Sequence, residues 1–587
     1  MVKNASEYNE LDTLRHSCAH VMAHAIKELF PDAKFGVGPP LENTFYYDVE
    51  LEQRLTDEDL RAIEKKMAEI IKADHLFERK VLSRADALKF FGDAGETYKL
   101  DIINQIGEAD DICAYAEGDF TDLCRGPHVK STGQIKAFKL LSVAGAYWRG
   151  DERNPQMQRI YGTAFPSQKE LNVYLRSVEE AKRRDHRKLG KELELYSFQE
   201  MAGPGLVFYH PKGGMLRYLI EQFIREEHLK RGYLFVNGPQ ILKSDVWKTS
   251  GHYDFYKENM FIYTDAEDKE YGIKPMNCPG HMLIYKTKMR SYRDLPLRFF
   301  EMGNVCRYEK SGVLHGLLRV RNFTQDDAHI FCLPEQLEHE IEKVLDFIFF
   351  VLKSFGFKDF EIDLSTRPLD SIGSDEMWEK ATAALRGALE KKQLKYGVEP
   401  EGGAFYGPKI DVRIKDALGR SWQCSTIQCD FALPEKFKLE YVSPEGAAEI
   451  PIVLHRAILG SVERFMGTIV EHFAGAFPLW LAPLQTILLP ISEKHEGYCR
   501  DLAERLSAEG LRVEVNAAND TLNKKIRNAQ KEKIPYLIVV GDKEVETATV
   551  NARAYGSQKQ TEYSEQDFVA KCLEEIKNKQ ASVEVEK

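Results

Sequence analysis

Residues 298–331, RFFEMGNVCRYEKSGVLHGLLRVRNFTQDDAHIF, constrain the fold more than any other stretch, because two alternating segments flank a glycine-containing basic loop. Such alternation predicts a β-hairpin. On the first arm Phe299, Glu301, Gly303, Val305, Arg307 and Glu309 share a face. On the return arm Arg319, Arg321, Phe323, Gln325, Asp327 and His329 do the same, since side chains alternate along a strand. Charges of this density are not buried unpaired. The face therefore lines a polar site, or the hairpin is an exposed edge with solvated charges.

The chain around it has 587 residues, enough for about three to five domains, each with its own core. With 43% hydrophobic and 29% charged residues it is neither disordered nor fibrous. A net charge of -11 argues against indiscriminate polyanion binding, so a nucleic-acid partner requires local basic patches. The ten cysteines form no CxxC pair, which points to reduced thiols and a cytoplasmic location. The N-terminus lacks an apolar signal core, and prolines interrupt FAGAFPLWLAPLQTILLPI, so no membrane span is expected.

Near the N-terminus Leu14, Cys18, Val21, Met22, Ala25 and Leu29 recur at helical spacing, with His16 and His20 four apart on a neighbouring stripe. In DFTDLCRGPH, Gly126 and Pro127 turn the chain so that Cys124 and His128 approach each other near Asp122. Two histidines, a cysteine and a third histidine suit tetrahedral zinc, and equally suit activation of water or a substrate hydroxyl; spacing leaves both open. Residues 167–195 predict one long exposed helix. Its basic run Lys182, Arg183, Arg184, Arg187, Lys188 and Lys191 fits a phosphate contact or a salt-bridged connector.

A new domain starts with a helix over 216–230 and a strand ending at Pro239. SGHYDFY reads as a polar loop holding His252, and KPMNCPGHM as a proline-fixed loop around Cys278. Beyond the opening hairpin come a helix over 334–355, a strand FEIDLSTR and a helix DEMWEKATAALRGALEKK. A second hairpin joins IDVRI to SWQCSTIQCDF through a turn at 416–419. A strand to Gly460 then leads into a helix near Ser461, whose first turn carries Arg464 and suits an anionic phosphate. Antiparallel strands with interspersed helices indicate an α+β catalytic domain, and neither GxxxxGK[ST] nor a strand-linked GxGxxG occurs. After Pro483 strands and helices alternate as a compact α/β domain with a polar C-terminal tail.

The segment ending at Pro239, VCRYE at Arg307 with Phe323 on the return strand, and LGSVERF at Arg464 resemble the three motifs of class II aminoacyl-tRNA synthetases. With MNCPGH, DDAHIF and VLHRAILG between them, essentially the whole chain is similar to the threonyl-tRNA synthetase family. The resemblance implies an antiparallel-sheet catalytic domain that activates threonine with ATP and magnesium and transfers it to tRNA(Thr). Arg307 would neutralise the α-phosphate, Glu309 and Phe323 would place the adenine, Arg319 and Arg464 would hold the terminal phosphates, and Gln423 would join in cofactor binding next to the amino acid's polar groups. Cys278, His329 and His455 would bind one zinc ion per subunit, whose open positions take the amino and hydroxyl groups of threonine and so reject valine. Gln325, Asp327, Tyr406 and Gln428 would bind the amino acid, with Lys409 and His252 near the substrate or the tRNA end.

Serine, lacking only a methyl worth ~1–3 kcal/mol, would still enter. The N-terminal His16, His20, Lys99, Asp122, Cys124 and His128 accordingly resemble a hydrolytic editing site, metal-free in this family, with a second zinc as the alternative. Asn519, Glu544 and Arg553 match anticodon contacts, although Tyr555 stands where relatives commonly carry a second arginine. The implied domains are 1–168 (editing), 169–195 (basic linker helix), 196–482 (catalytic) and 483–587 (anticodon-binding). A homodimer is implied, as is the absence of a small ubiquitin-like domain that bacterial relatives carry in front. Competing readings are a synthetase-like RNA-binding protein without catalysis, or a synthetase for proline or serine.

Overall fold

The computed structural model describes residues 8–107, 110–415 and 420–579; the expected turn at 416–419 and most of the C-terminal tail lie outside the described residues. The chain divides into two compact units, Met1–Glu179 and Glu180–Lys587.

In the first unit, Asn9 caps the helix Glu10–Leu29 by accepting from the N–H groups of Leu11 and Asp12. The helix buries Cys18, Val21, Met22, Ala25 and Ile26 against Phe45, Tyr47, Val49 and Ile160. These come from an antiparallel sheet ordered Lys34–Phe35, Phe45–Glu50, Gln156–Phe165, Ala137–Tyr147. A second sheet, Glu78–Leu82, Ile112–Glu117 and Phe120–Leu123, carries the DFTDLC segment.

The basic stretch is two helices, Gln168–Arg184 and His186–Glu192, rather than one. Asp185 interrupts it because its side chain accepts from the Arg187 N–H and so starts the second helix. His186 is buried, so the stretch is not exposed throughout.

The second unit is built on an eight-stranded sheet ordered Leu234–Phe235, Leu297–Cys306, Asn322–Cys332, Ile452–Ala457, Ser421–Asp430, Lys409–Lys415, Phe360–Ser365, Gly397–Glu399. The opening hairpin supplies its second and third strands, paired Phe299↔His329, Glu301↔Asp327, Gly303↔Gln325 and Val305↔Phe323. It is therefore interior to the sheet, not a solvated edge. Its ladder stops at Cys306↔Asn322, so Arg307, Glu309, Arg319 and Arg321 sit on the connecting loop instead of on strands.

Phe300, Ala328 and Ile330 turn to the main core, where they meet Ile220, Leu345, Ile348 and Phe465 from the covering helices. Because side chains alternate, that burial turns Glu301, Gln325, Asp327 and His329 to the opposite face. On that face the helix Cys278–Tyr285 packs Met282 and Tyr285 beside Phe299 and Phe331. Two expected loops are helical: Ser244–Ser250 and His252–Tyr256 flank Gly251, and Cys278 opens a helix rather than sitting in a loop. Proline in a first helical turn gives up an N–H that would have no partner anyway, so Pro279 is compatible with that start.

The C-terminal sheet runs Val513–Val515, Thr486–Pro490, Tyr536–Val540, Thr549–Ala554, Gln560–Ser564, its first three strands parallel and its last two antiparallel. Gln560–Ser564 escapes a sequence reading because its polar residues leave no buried apolar face to detect. Among the described residues no helix is long and apolar enough to cross a membrane.

Candidate active sites

Register brings three distant residues together. His329 pairs directly with His455 across adjacent strands, and the start of the Cys278–Tyr285 helix supplies the thiol. The ligand atoms of Cys278, His329 and His455 all lie within 4.8 Å of one another, and all three residues are buried. His329 Nε2 and His455 Nδ1 have no hydrogen-bond partner. Their other nitrogens are engaged, His329 Nδ1 with His281 Nδ1 at 2.7 Å and His455 Nε2 with Asp430 Oδ2 at 2.7 Å. Buried polar atoms without partners are rare. Two imidazole nitrogens and a thiol converging in this way fit a tetrahedral N/S-binding cation such as zinc. Burial, with nearby His455, His281 and Arg456, holds the His329 imidazole well below its ordinary range, in the neutral form a ligand needs.

Polar groups surround the triad. Gln428 pairs in register with both His455 and Lys409, and its side chain accepts from the Tyr406 hydroxyl. The Tyr406 ring lies 5.2 Å from that of His455. Asp327 accepts from Asn277 Nδ2 at 3.0 Å, and burial raises its carboxyl. His252 bonds through Nδ1 to Ser250 Oγ at 2.8 Å, and burial, reinforced by the charges nearby, pushes it down to about 3. Lys409 pairs with Asp411 at 2.7 Å. Gln325 is half-buried on the same face as Asp327, whereas Gln423 is exposed on Ser421–Asp430.

Along the hairpin lies a basic cluster. Arg307 donates through Nε to the Pro275 carbonyl at 3.0 Å, with its guanidinium 5.2 Å from the Phe323 ring and 5.7 Å from that of Tyr256. Arg319 reaches Glu309 through Nε at 3.0 Å and Nη2 at 2.9 Å. Arg464, from a helix capped by Ser461, donates to the Leu318 carbonyl at 3.2 Å. Burial above all, with repulsion from Arg307 and Arg319, draws the Arg464 guanidinium below its usual range. Crowded guanidinium groups with one nearby carboxylate make an anion site beside an aromatic face.

In the first unit the structure gathers all six expected N-terminal residues. Cys124 Sγ lies 3.3 Å from His16 Nε2 and 3.2 Å from His128 Nε2. His16 Nδ1 faces the Pro127 carbonyl at 3.1 Å, and His128 Nδ1 faces Ser17 Oγ at 3.1 Å, so both Nε2 atoms present lone pairs to the thiol. Burial pushes His16 down to about 4, holds His128 well below its ordinary range and pushes Cys124 up to about 12, leaving all three uncharged near neutrality. Lys99 pairs with Asp122 at 2.7 Å and donates to the Gly36 carbonyl at 2.8 Å. Both nitrogens of His20 lack a hydrogen-bond partner, and Glu117 lies 3.6 Å from its Nδ1.

Two groups went unnoticed in the sequence. Tyr47 accepts from Lys99 at 2.9 Å and donates to Asp122; it sits between Tyr46 and Asp48 in the strand FYYDVE, where nothing local marks it. His281 follows Cys278 by three positions, a spacing that puts both on one helical face and could have drawn notice. The anticodon trio lies on three separate segments of the C-terminal fold. Asn519 is exposed after Val513–Val515, Glu544 accepts from the Gly541 N–H at 2.9 Å as a cap of its own helix, and Arg553 donates to the Ser557 carbonyl at 2.6 Å.

The family described as tRNA synthetase class II core domain (G, H, P, S and T) matches residues 256–473. The anticodon binding domain matches 485–575, and the threonyl and alanyl tRNA synthetase second additional domain matches 112–161. A threonine–tRNA ligase of Pelobacter propionicus is 54% identical over 97% of this chain and 89% of its own length. One from Oleidesulfovibrio alaskensis is 57% identical over 92% of this chain and 84% of its own. A solved RNA binding domain of threonyl-tRNA synthetase from Cryptosporidium parvum Iowa II is 43% identical with a TM-score of 0.65, covering 68% of this chain and 100% of that one.

Proposed function

This chain belongs to the threonine–tRNA ligases, class II aminoacyl-tRNA synthetases with an editing domain, and from that premise we propose how its residues divide the work. The substrates are threonine, ATP and tRNA(Thr). The threonine carboxylate attacks the α-phosphorus of ATP, the bond to pyrophosphate breaks, and the terminal ribose hydroxyl of the tRNA then displaces AMP from the acyl group. Arg307 takes the charge developing on the α-phosphate, because a guanidinium fixed at its Nε keeps two N–H groups for directed bonds. Arg319 and Arg464 hold the terminal phosphates, whose charge magnesium would share if bound, while Glu309 and Phe323 seat the adenine and Gln423 joins in cofactor binding.

Cys278, His329 and His455 hold the amino-acid end of the site as zinc ligands. Zinc held there would offer positions for an amine and a hydroxyl, and so would separate threonine from isosteric valine. Gln325, Asp327, Tyr406 and Gln428 orient the amino acid; neutral His252 accepts a proton at its free nitrogen near the tRNA end, and Lys409 lies at the same mouth.

Editing falls to the first unit, with metal-free chemistry. His16 or His128, uncharged, takes a proton from the water that attacks the seryl ester, and the proton passes to the departing ribose oxygen. Cys124 remains a thiol and acts as a hydrogen-bonding group. His20, Lys99 and Asp122 line the pocket, and Asn519, Glu544 and Arg553 contact the anticodon loop. The working domains are 1–168, the linker 169–195, 196–482 and 483–587. The protein acts as a homodimer, a reading supported by exposed Leu229, Leu234 and Phe235 beside the sheet edge, and works in the cytoplasm, which suits ten free cysteines.

The observation that carries this division is the buried Cys278–His329–His455 triad with its two unpartnered nitrogens. Amino-acid-dependent ATP–pyrophosphate exchange tests it. Threonine and serine should support exchange and valine should not; valine activity rivalling serine's would remove the basis for the metal reading.

A further inference from the structure

Behind His329, away from its unpartnered nitrogen, runs a chain of buried polar side chains. His281 sits one turn after Cys278 on the same helix, and its Nδ1 lies 2.7 Å from His329 Nδ1. Its Nε2 lies 3.2 Å from Glu301 Oε2. The other Glu301 oxygen accepts from Lys274 Nζ at 2.8 Å and from the Gly238 N–H at 3.3 Å. His281, Glu301 and Lys274 are at most 3% exposed. Burying an ammonium and a carboxylate is costly even when they are paired, and an apolar pair would stabilise a core as well. The arrangement calls for a reason other than packing.

Proton placement supplies one. Glu301 accepts from the Lys274 ammonium and the Gly238 N–H through one oxygen, and a carboxylate paired with an ammonium is an acceptor at the other as well. His281 Nε2 must then carry a hydrogen to bond Glu301. With its ring hydrogen at Nε2, His281 presents Nδ1 as an acceptor, 2.7 Å from His329 Nδ1, which donates to it. His329 Nε2 is thereby a lone pair, and it is the nitrogen that faces Cys278 and His455 without a partner. His455 Nε2 is held in one step, 2.7 Å from Asp430 Oδ2. A metal-binding imidazole generally has its second nitrogen fixed in this manner.

We propose that His281, anchored by Glu301 and Lys274, is a positioning residue that fixes the tautomer and ring orientation of His329 for zinc binding. The proposal rests on the zinc reading of the triad. It also ties that ligand to the backbone at Gly238, next to Pro239.

The test uses the full-length chain in three variants: His281→Leu, which keeps bulk but no acceptor; His281→Asn, which keeps an acceptor near the Nδ1 position; and Glu301→Gln. Zinc affinity is read by chelator competition, and ligand geometry by the visible spectrum of cobalt-substituted protein. His281→Leu should weaken zinc ~10–100-fold, alter the cobalt spectrum and raise KM for threonine with KM for ATP unchanged. His281→Asn should recover most of the affinity. Glu301→Gln should move in the same direction as His281→Leu and decides the matter if that variant fails to fold. Wild-type affinity and cobalt spectrum in a folded His281→Leu or Glu301→Gln, alongside zinc loss in Cys278→Ser, would overturn the relay alone. A wild-type chain that binds no zinc, unchanged by Cys278→Ser, would overturn the zinc reading and the relay with it.

Discussion

Arg307 and His329 belong to one hairpin and stand in two different surroundings. Arg307 lies past the end of the ladder, fixed by the Pro275 carbonyl and facing Arg464 and Phe323. His329 is buried further along the return strand, opposite His455. Arg307→Ala should therefore lower adenylate formation by ~10²–10³-fold, the usual effect of removing a group that meets developing charge, with zinc content unchanged. His329→Ala should lose zinc and the preference for threonine over valine together. Pyrophosphate exchange and metal analysis on the same preparations check both, and equal zinc loss in the two variants would erase the division. The sequence could nominate both residues because strand alternation set them on one face. It could not say that Arg307 and Arg319 leave the strands, since where a ladder ends depends on how far the arms pair.

Among the elements, the short helix His186–Glu192 has the least expected role. His186 Nδ1 meets Glu471 Oε1 at 2.6 Å, and its Nε2 accepts from the Leu317 N–H at 3.0 Å. Arg464, on the same helix as Glu471, donates to the neighbouring Leu318 carbonyl. The loop that carries Arg319 is thus held from two sides. His186→Ala leaves a buried N–H and a buried carboxylate short of a partner, which should cost about 2–4 kcal/mol. It should also raise KM for ATP several-fold with little change in KM for threonine, measured by thermal unfolding and exchange kinetics. Unaltered ATP kinetics in a folded variant would make the contact purely structural. The sequence showed a basic helix here, and its charges said nothing of the one buried imidazole among them.

At the scale of the whole molecule, the large sheet ends in a two-residue strand, Leu234–Phe235, paired in parallel with Phe299 and Phe300. Leu234 is 51% exposed and its neighbour Phe235 39%, apolar side chains on an end strand that a monomer would leave in water. If this edge is where two copies meet, Phe235→Glu should weaken self-association by ~30-fold or more, given ~2 kcal/mol for an apolar anchor at an interface; sedimentation over a concentration series reads it, and an unchanged distribution would remove this edge as an interface. By itself the sequence determined the class of each region, because periods of 2 and 3.6 and the turn residues are local properties, and the order of the motifs was enough to mark the family. The site residues were legible as types and positions. That Cys278, His329 and His455 converge, that His281 and Glu301 stand behind them, and that Tyr47 joins Lys99 and Asp122 were decided only by tertiary structure. Those meetings depend on the register of strands far apart in the chain, and no local pattern encodes register between distant strands.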